Sequence, residues 1–184
     1  MNKLHLKQAI RVCENGGIIA YPTEAVFGLG CLPVYEHSIR RILSLKRRSA
    51  RKGLILVAAN IEQLHAFVDF SKVNNMEAIH DSWPGPVTWL IPARYKTPFW
   101  LTGNHKTLAV RVCSHPLVQS LCERLGPIVS TSANPKGVNP ARTSQRVRSY
   151  FQTEVDYVIP ASITNTMNPT EIRDALTGDI IRVS

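Results

Sequence analysis

The densest charge in the sequence lies between residues 46 and 52, where five of seven residues are Lys or Arg. Arg binds phosphate oxygens through two N–H groups and Lys acts as a compact point charge, so the cluster suits a triphosphate or an RNA backbone. The alternative is a solvated helix end whose cations complement the negative end of the helix dipole. Phosphate binding is the interpretation that we favour for this segment.

A second group of chemically useful side chains follows the apolar residues Ile128 and Val129. Three hydroxyls and an amide precede a Pro/Gly loop there, on Ser130, Thr131, Ser132 and Asn134. Such groups fix a ligand by hydrogen bonds without adding charge. The same residue types also build helix caps and Asx turns, so a purely structural role is the alternative.

Two other segments place polar residues beside apolar runs. Thr23 follows a short apolar run and precedes Gly28 and Gly30, which would let the backbone approach a ligand closely, although a tight turn explains the segment about equally well. Arg111 interrupts the apolar segment 107–112. Its guanidinium needs a carboxylate, either from a ligand or from the protein, for which Asp174 is the candidate.

Several enzyme classes lack their motifs in this sequence. There is no G-x-S-x-G, no H-E-x-x-H and no pair of carboxylates in an evident acid/base arrangement. The six His and four Cys show no metal-ligand spacing and no C-x-x-C pair, so we expect no metal site and four reduced, mostly buried thiols. Cations, hydroxyls and amides suit reactions that depend on positioning and charge neutralisation, such as nucleotidyl or phosphoryl transfer.

Helix and strand patterns alternate along the chain and must position these residues. Helices are predicted for an N-terminal segment ending at Asn15 and for residues 36–47, 61–80, 115–125 and 143–151. Strands are predicted for residues 18–21, 54–58, 87–91, 107–112, 127–131, 155–159, 170–174 and 179–183. The alternation predicts an α/β protein with a largely buried, mixed sheet. Ligands gather beyond strand ends in such sheets, which is where the polar clusters fall.

Length and charge narrow the class of protein further. The 184 residues suit one domain over 1–184, and the net charge of +9 favours a polyanion such as a nucleotide, RNA or an acidic membrane surface. A basic surface that serves solubility alone is the simpler alternative. No stretch approaches the roughly 20 apolar residues of a membrane span, and the N-terminus lacks an apolar signal core. We therefore expect a soluble, cytoplasmic protein.

Taken together in their order, these segments resemble the YrdC-like family of threonylcarbamoyl-AMP synthases, especially its short, single-domain bacterial form (TsaC type). The resemblance covers essentially the whole chain. It rests on the segments YPTEAVFGLGC (21–31), LKRR (45–48), KGLILVAAN (52–60), SWPGPVT (82–88), LAVRVCSHP (108–116), PIVSTSAN (127–134) and NPTEIRDALTG (168–178).

The resemblance implies a fold and a reaction. The fold is a twisted, largely open mixed sheet flanked by helices around a basic concave cleft. The reaction converts L-threonine, bicarbonate and ATP, with Mg²⁺, into threonylcarbamoyl-adenylate and pyrophosphate. Other proteins of the t6A pathway then pass the activated group to adenosine 37 of tRNA.

The resemblance also implies roles for individual residues. Lys46 and Arg48 match a K-x-R element and are implied as catalytic, because developing negative charge on phosphate oxygens needs cations. Thr23 and Arg111 are implied to bind threonine, with Arg111 facing its carboxylate. ATP binding is implied for Lys46, Arg48, Ser132, Asn134, Thr170 and Arg182.

This sequence departs from the pattern of the longer members at three places. They have an Asn-Pro pair and a histidine near residues 54–57, where this chain has Lys52-Gly53 and Val57. Lys136 replaces a serine, which adds charge beside the hydroxyl-rich loop. The C-terminal extension of the longer members does not follow Ser184, so we expect another element or a partner to close the cleft.

The main rival hypothesis is a non-catalytic module that binds double-stranded RNA or tRNA, for example during ribosomal RNA maturation. The net charge and the 46–52 cluster fit both hypotheses. The hydroxyl-rich segment and the buried-looking Arg111 favour the enzyme, because a protein that only binds the phosphate backbone needs neither. A salt titration separates the two in part, since RNA binding through many phosphates weakens steeply with salt.

Overall fold

The computed structural model describes residues 3–163 and 170–183, which form one nine-stranded mixed sheet with helices on both faces. The strand order is β7-β1-β2-β6-β3-β5-β4-β8-β9. The strands are β1 (Ile19–Pro22), β2 (Phe27–Cys31), β3 (Ile55–Ala58), β4 (Val87–Pro92), β5 (Thr107–Val112), β6 (Ile128–Ser132), β7 (Tyr157–Val158), β8 (Glu171–Asp174) and β9 (Ile180–Arg182). The helices are α1 (Lys3–Glu14), α2 (Glu36–Leu45), α3 (Met76–Ser82), α4 (Phe99–Thr102), α5 (Pro116–Leu125) and α6 (Ser144–Phe151).

The sheet is mixed, as predicted from the alternation of elements. The pairs β1–β7, β3–β5 and β4–β8 are parallel and the other neighbours are antiparallel. Since the strand order does not close on itself, the sheet is open, with β7 and β9 at its edges. None of the described helices has the length and apolar content that crossing a membrane requires.

One face of the sheet carries the larger hydrophobic core. Successive side chains of a strand point to opposite faces, so Leu108 and Val110 of β5 enter this core while Ala109 and Arg111 point the other way. Helices α2, α3 and α6 cover this face with buried apolar side chains: Ile39, Ile42, Ile79, Val147 and Phe151. Burial of this apolar surface stabilises the fold by roughly 25 cal/mol per Å².

The opposite face is covered over only part of its area. Helices α1 and α5 pack there on Ile19, Tyr21, Val57 and Ile128, forming a smaller second core. Beyond these helices, the sheet surface between β2 and β4 is left open and becomes the floor of a cavity. The cavity therefore occupies the uncovered part of one sheet face.

The region predicted as one helix over residues 61–80 is different in the structure. It consists of two 3-10 turns (Glu62–Leu64 and Phe70–Lys72) followed by the short helix α3. Asp69 accepts a hydrogen bond from the Ser71 backbone N–H and Asn75 accepts one from that of Ala78, so each starts a new turn. Local capping by these polar side chains interrupts the helix that the apolar periodicity indicated.

A second difference concerns residues 27–31, for which no strand was predicted. They form strand β2, which makes a hairpin with β1 and also pairs with β6. The other predicted strands and helices exist with bounds shifted by a few residues. Asn168 and Pro169, which belong to the segment 168–178 used in the resemblance, lie outside the described residues.

Candidate active site

A cavity of about 710 Å³ lies over the open part of the sheet. Its size is in the range of ordinary small-molecule and cofactor sites. All of the site residues predicted from the sequence line it: Thr23, Lys46, Arg48, Arg111, Ser132, Asn134, Thr170 and Arg182. The structure thus brings together residues that are up to 159 positions apart in the chain, since 182 − 23 = 159.

The described lining of this cavity is rich in cations and contains no Asp or Glu. Its Lys and Arg residues are Lys46, Arg47, Arg48, Lys52, Arg111, Lys136 and Arg182. Cations grouped in a concave site concentrate the positive potential there and attract anions. A ligand with several negative charges, such as a nucleoside triphosphate, fits this lining.

Lys46 follows the last residue of α2 and is only 7% exposed. Its ammonium donates hydrogen bonds to the backbone oxygens of Ser132 and Asn134, and Asn134 Oδ1 lies 3.2 Å away. Burial, followed by the nearby charge of Arg48, lowers the pKa of Lys46 to about 8. The cationic cluster at the end of α2 and the hydroxyl-rich end of β6 therefore meet through this side chain.

The segment after β6 holds its conformation through its own polar side chains. Ser132 Oγ donates to Asn134 Oδ1 at 2.6 Å, and Asn134 Nδ2 donates to the Val138 carbonyl at 2.6 Å. The turn-forming role that we gave as the alternative for these residues is therefore real. It coexists with their place in the cavity wall, because both side chains also line the cavity.

Arg48 and Arg182 come from distant parts of the chain to the same side of the cavity. Arg48 Nη2 donates to the Gly53 carbonyl at 3.0 Å, and Arg182 Nη2 donates to the Thr170 carbonyl at 2.5 Å. Burial, together with the charge of Arg182, lowers the pKa of Arg48. The half-buried guanidinium of Arg48 and the exposed one of Arg182 repel each other, which makes a favourable place for a shared anion.

Thr170 contacts both β9 and β4. Its carbonyl accepts the hydrogen bond from Arg182, and its Oγ1 lies 3.3 Å from Oγ1 of Thr88 on β4. Thr88 also lines the cavity, although sequence analysis had not selected it. Thr170 therefore helps to place the Arg182 side chain at the cavity edge.

Arg111 is paired with Glu24 rather than with Asp174, so the predicted protein partner was wrong. Arg111 Nη2 lies 3.4 Å from Glu24 Oε2 and 3.3 Å from Cys113 Sγ, and Arg111 is 5% exposed. Asp174 instead accepts hydrogen bonds from the backbone at the turn between β8 and β9. Asp174 cannot serve both places because it lies in the turn that it caps.

Glu24 is held as a carboxylate by its surroundings. Its Oε1 accepts hydrogen bonds from Cys113 Sγ at 3.2 Å and from Ser114 Oγ at 3.1 Å. Burial acts to raise the pKa of Glu24, but the charge of Arg111 and these hydrogen bonds outweigh it and lower the pKa. Burial raises the pKa of Cys113 to about 11, so its thiol stays protonated and donates. Sequence analysis missed Glu24 because its partners are about 90 residues away.

The expected role of Gly28 and Gly30 also needs correction. Both lie inside β2 and face the ring of Tyr21, which crosses their strand. A Cβ at Gly30 would lie 2.8 Å from Tyr21 Cε1 and 2.6 Å from the Val129 carbonyl oxygen. These glycines permit the ring of Tyr21 to pass close to the backbone of β2. Gly28 also lines the cavity.

Other cavity residues were missed or left without a role. Ser130 lines the floor, and Lys52, His105 and Thr107 line it as well. The signal for Thr107 was present in the sequence, since small or polar residues alternate with large apolar ones along β5. His105 carried no such signal, because it lies in the turn before β5.

The remaining polar groups of the described chain give no metal-ligand cluster. Within residues 3–163 and 170–183, no three His, Cys, Asp or Glu side chains converge as metal ligands would. All four cysteines are buried and free. The cavity therefore offers hydroxyls, amides and cations for binding, as the sequence indicated.

Comparison with known proteins identifies the family. The family model for Sua5/YciO/YrdC proteins, described as telomere recombination, matches residues 11–184. A threonylcarbamoyl-AMP synthase of Pseudomonas aeruginosa is 49% identical over 174 residues, which is 95% of this chain and 94% of that protein. One from Yersinia pestis is 50% identical over 184 residues, covering 98% of this chain and 96% of that protein.

Solved structures agree with this assignment. Sua5 of P. abyssi, solved in complex with L-threonine, is 29% identical with a TM-score of 0.86, covering 95% of this chain and 52% of its own. This chain thus spans about half the length of that protein. The fold also matches that of E. coli YciO, with a TM-score of 0.86 at 24% identity, covering 98% of this chain and 89% of YciO. On the family match and these relatives, the chain belongs to the Sua5/YciO/YrdC family.

Proposed function

We propose that this chain is a threonylcarbamoyl-AMP synthase, which joins L-threonine, bicarbonate and ATP into threonylcarbamoyl-adenylate and releases pyrophosphate. The observation that carries the proposal is that the six residues predicted for ATP and the two predicted for threonine line one cavity. The names of relatives about 50% identical to this chain support it. They also favour the synthase over a non-catalytic RNA-binding module.

The reaction has two bond-forming steps. The ammonium group of threonine first loses a proton, and its nitrogen then bonds to the carbon of bicarbonate while water leaves, so that a carbamate remains. A carbamate oxygen then bonds to the α-phosphorus of ATP while the bond from that phosphorus to the bridging oxygen breaks and pyrophosphate departs. Negative charge builds on phosphate oxygens during this step, and fixed cations lower its energy without needing to reorganise.

The cavity supplies cations where the phosphates would lie. Lys46, Arg48 and Arg182 line the same cavity, and the charge of Arg182 acts on Arg48. The ammonium of Lys46 is held by the backbone oxygens of Ser132 and Asn134, so its position is fixed. Ser132, Asn134 and these cations together form the proposed ATP subsite.

Threonine is assigned to the part of the cavity floor around Arg111. A carboxylate accepts paired hydrogen bonds from a guanidinium. Arg111 contacts the described protein groups through its Nη2 atom, which leaves its other N–H groups to a ligand. Thr23 precedes Glu24 in the segment that holds Arg111, so its hydroxyl is the second proposed contact.

Mg²⁺ fits this cavity as a companion of the nucleotide. The described lining offers hydroxyls but no carboxylates, and Mg²⁺ commonly binds substrate phosphates while keeping several waters. Bound in that way, it would neutralise phosphate charge. Lys46, Arg48 and Arg182 would still hold and orient the triphosphate.

The proposal extends to the fate of the product. The activated threonylcarbamoyl group is expected to pass to tRNA, forming t6A, through other proteins of that pathway. A cytoplasmic location belongs to the same proposal. It is supported by the four free, buried thiols, which suit a reducing compartment.

The decisive experiment measures pyrophosphate release from ATP with threonine and bicarbonate present together and with each omitted. We expect release only with both. Lys46→Ala and Arg48→Ala should each lower the rate by roughly 100-fold or more, as loss of a charge-stabilising group does. Lys7→Ala, on the exposed side of α1, is the matched control and should leave it unchanged.

Two results would contradict the proposal at different levels. A rate that does not depend on threonine would argue against the synthase activity itself. Near-normal turnover by Lys46→Ala or Arg48→Ala would remove that residue from the active site while leaving the activity in place.

A further inference from the structure

A hydrogen bond at the edge of the cavity floor has no part in the roles given so far. The hydroxyl of Tyr21 donates to Ser130 Oγ at 2.7 Å. Tyr21 is fully buried, whereas Ser130 is half-buried and lines the cavity. Burial raises the pKa of Tyr21, so the phenol keeps its proton and acts as a donor.

Donation by Tyr21 determines what Ser130 can do. A serine hydroxyl has one proton to give, and its oxygen already accepts from the phenol. Within residues 3–163 and 170–183, the structure shows no protein acceptor for the Ser130 proton. The hydroxyl proton of Ser130 is therefore left for a ligand in the cavity.

The chain makes room for this hydrogen bond. Tyr21 is on β1 and Ser130 on β6, so the ring must cross β2, which lies between them. It crosses at Gly28 and Gly30, where a Cβ would lie 3.1 Å and 2.8 Å from ring atoms. Two glycines thus allow a tyrosine to reach the floor of the cavity.

Strand register places Ser130 between the two proposed subsites. Ile55 pairs with Ser130 on one side and with Ala109 on the other, so these three residues form one row across the floor. Arg111 lies two residues beyond this row on β5, and Ser132 lies two residues beyond it on β6. Because β5 and β6 are antiparallel to each other, the two residues lie on opposite sides of the row. Two residues span about 7 Å, so the row lies midway between the threonine and nucleotide ends.

We propose that the Ser130 hydroxyl, oriented by Tyr21, donates a hydrogen bond to the oxygens of the reacting carbamate or α-phosphate. The inference rests on the proposed function, because it takes threonine at Arg111 and the nucleotide at Ser132. The groups that react must then meet over the row of Ile55, where Ser130 has the polar side chain. Ser130 is in this role a catalytic residue, and Tyr21 is a positioning residue that acts through it.

The chemistry of the step suits such a donor. Attack of the carbamate on phosphorus moves negative charge onto phosphate oxygens at the reaction centre. A hydrogen-bond donor that is already oriented stabilises this charge more in the transition state than in the ground state. Since the phenol polarises the serine hydroxyl, the two groups act as one short chain of donors.

The test compares Ser130→Ala, Tyr21→Phe and the double variant with wild type in the pyrophosphate-release assay. We expect Ser130→Ala to lower kcat by roughly 10- to 100-fold, with KM for ATP and threonine within about twofold. Tyr21→Phe should lower kcat by about fivefold, the effect of one ordinary hydrogen bond. The double variant should match Ser130→Ala, since Tyr21 has nothing to orient once the serine is gone.

Tyr35→Phe is the matched control, because Tyr35 also loses one hydroxyl hydrogen bond, to the Glu14 carbonyl, far from the cavity lining. It should leave kcat unchanged. Thermal unfolding of each variant is measured as well. The double variant lacks both hydroxyls, so neither is left buried without a partner. If Ser130→Ala is unstable, the double variant therefore takes its place in the test.

The outcomes separate this inference from the proposed function. A wild-type rate of pyrophosphate release that does not depend on threonine would overturn the proposed function, and this inference with it. The inference alone would be overturned if the wild type turned over normally and the kcat of Ser130→Ala, or of the double variant, lay within twofold of the wild-type kcat. Effects of Tyr21→Phe and Ser130→Ala that multiply in the double variant would also overturn it, because they would then be independent.

Discussion

Replacing Arg111 by Lys examines the threonine subsite while keeping its charge. Lysine retains the positive charge beside Glu24, but it presents its protons from a single nitrogen instead of a planar fork. Arg111 Nη2 contacts Glu24 and Cys113 while the rest of the guanidinium faces the cavity. A lysine ammonium cannot hold Glu24 and a substrate carboxylate in the same geometry.

The expected size of the effect follows from the contacts that are lost. One charge-assisted hydrogen bond contributes about 1.5–3 kcal/mol. That range corresponds to roughly a 10- to 150-fold rise in KM for threonine. Stability should fall much less than the about 3–5 kcal/mol expected for removing one partner of a buried pair, because lysine still pairs with Glu24.

The assay is pyrophosphate release with threonine and ATP titrated separately. KM for threonine should rise while KM for ATP stays within about twofold, since the proposed nucleotide contacts are at other residues of the cavity. Arg94→Lys is the matched control: Arg94 Nε donates to the Val68 carbonyl outside the cavity lining, so neither constant should change.

Two results would refute this reasoning. An unchanged KM for threonine would show that Arg111 does not bind the substrate and serves only as the partner of Glu24. Equal increases in KM for threonine and ATP would show that the substitution disturbs the whole cavity. A thermal melt distinguishes the second result from simple unfolding.

Two further predictions concern the charge of Lys46 and the crowding at Gly30. Because burial lowers the pKa of Lys46 to about 8, its ammonium loses its proton as the pH rises through 8, and ATP affinity should fall above that pH by up to tenfold per unit. Calorimetric titration from pH 7 to 9.5 measures this; Lys46→Arg, which stays charged, should flatten the profile, and a wild-type affinity independent of pH would contradict it. Gly30→Ala should lower the stability by about 1–3 kcal/mol in thermal unfolding, because the new Cβ would lie 2.6 Å from the Val129 carbonyl. Gly137→Ala, which meets no atom within 4 Å but has φ of +80°, should cost about 1 kcal/mol, and equal losses at the two positions would show that crowding is not the cause.

Much of the fold could be predicted because short-range patterns determine it. The alternating pattern of β5 and the apolar start of β6 indicated strands, and Asn15-Gly16-Gly17 indicated the end of α1. The region 61–80 was predicted wrongly, since its apolar spacing fits a helix while Asp69 and Asn75 cap separate turns. Two local signals competed there, and packing decided between them.

The residues predicted from the sequence all line one cavity, but the contacts that they make with each other were not predicted. Residue type and segment order were enough to select side chains such as Lys46 and Ser132, which the cavity then brings together. Glu24 and Tyr21 were missed because their significance lies in partners about 90 and 109 residues away. A pattern within one short segment cannot reveal contacts between residues that are so far apart in the sequence.

By itself, the sequence determined the α/β class, the cluster of cations at residues 46–52 and the polar residue types that line the cavity. These depend on composition and on the twofold and 3.6-fold periodicities of strand and helix, which any short segment carries. Only the tertiary structure decided that Arg111 pairs with Glu24 instead of Asp174, and that Gly28 and Gly30 admit the Tyr21 ring. Those outcomes depend on which strands become neighbours, and strand order is set by the packing of the whole chain.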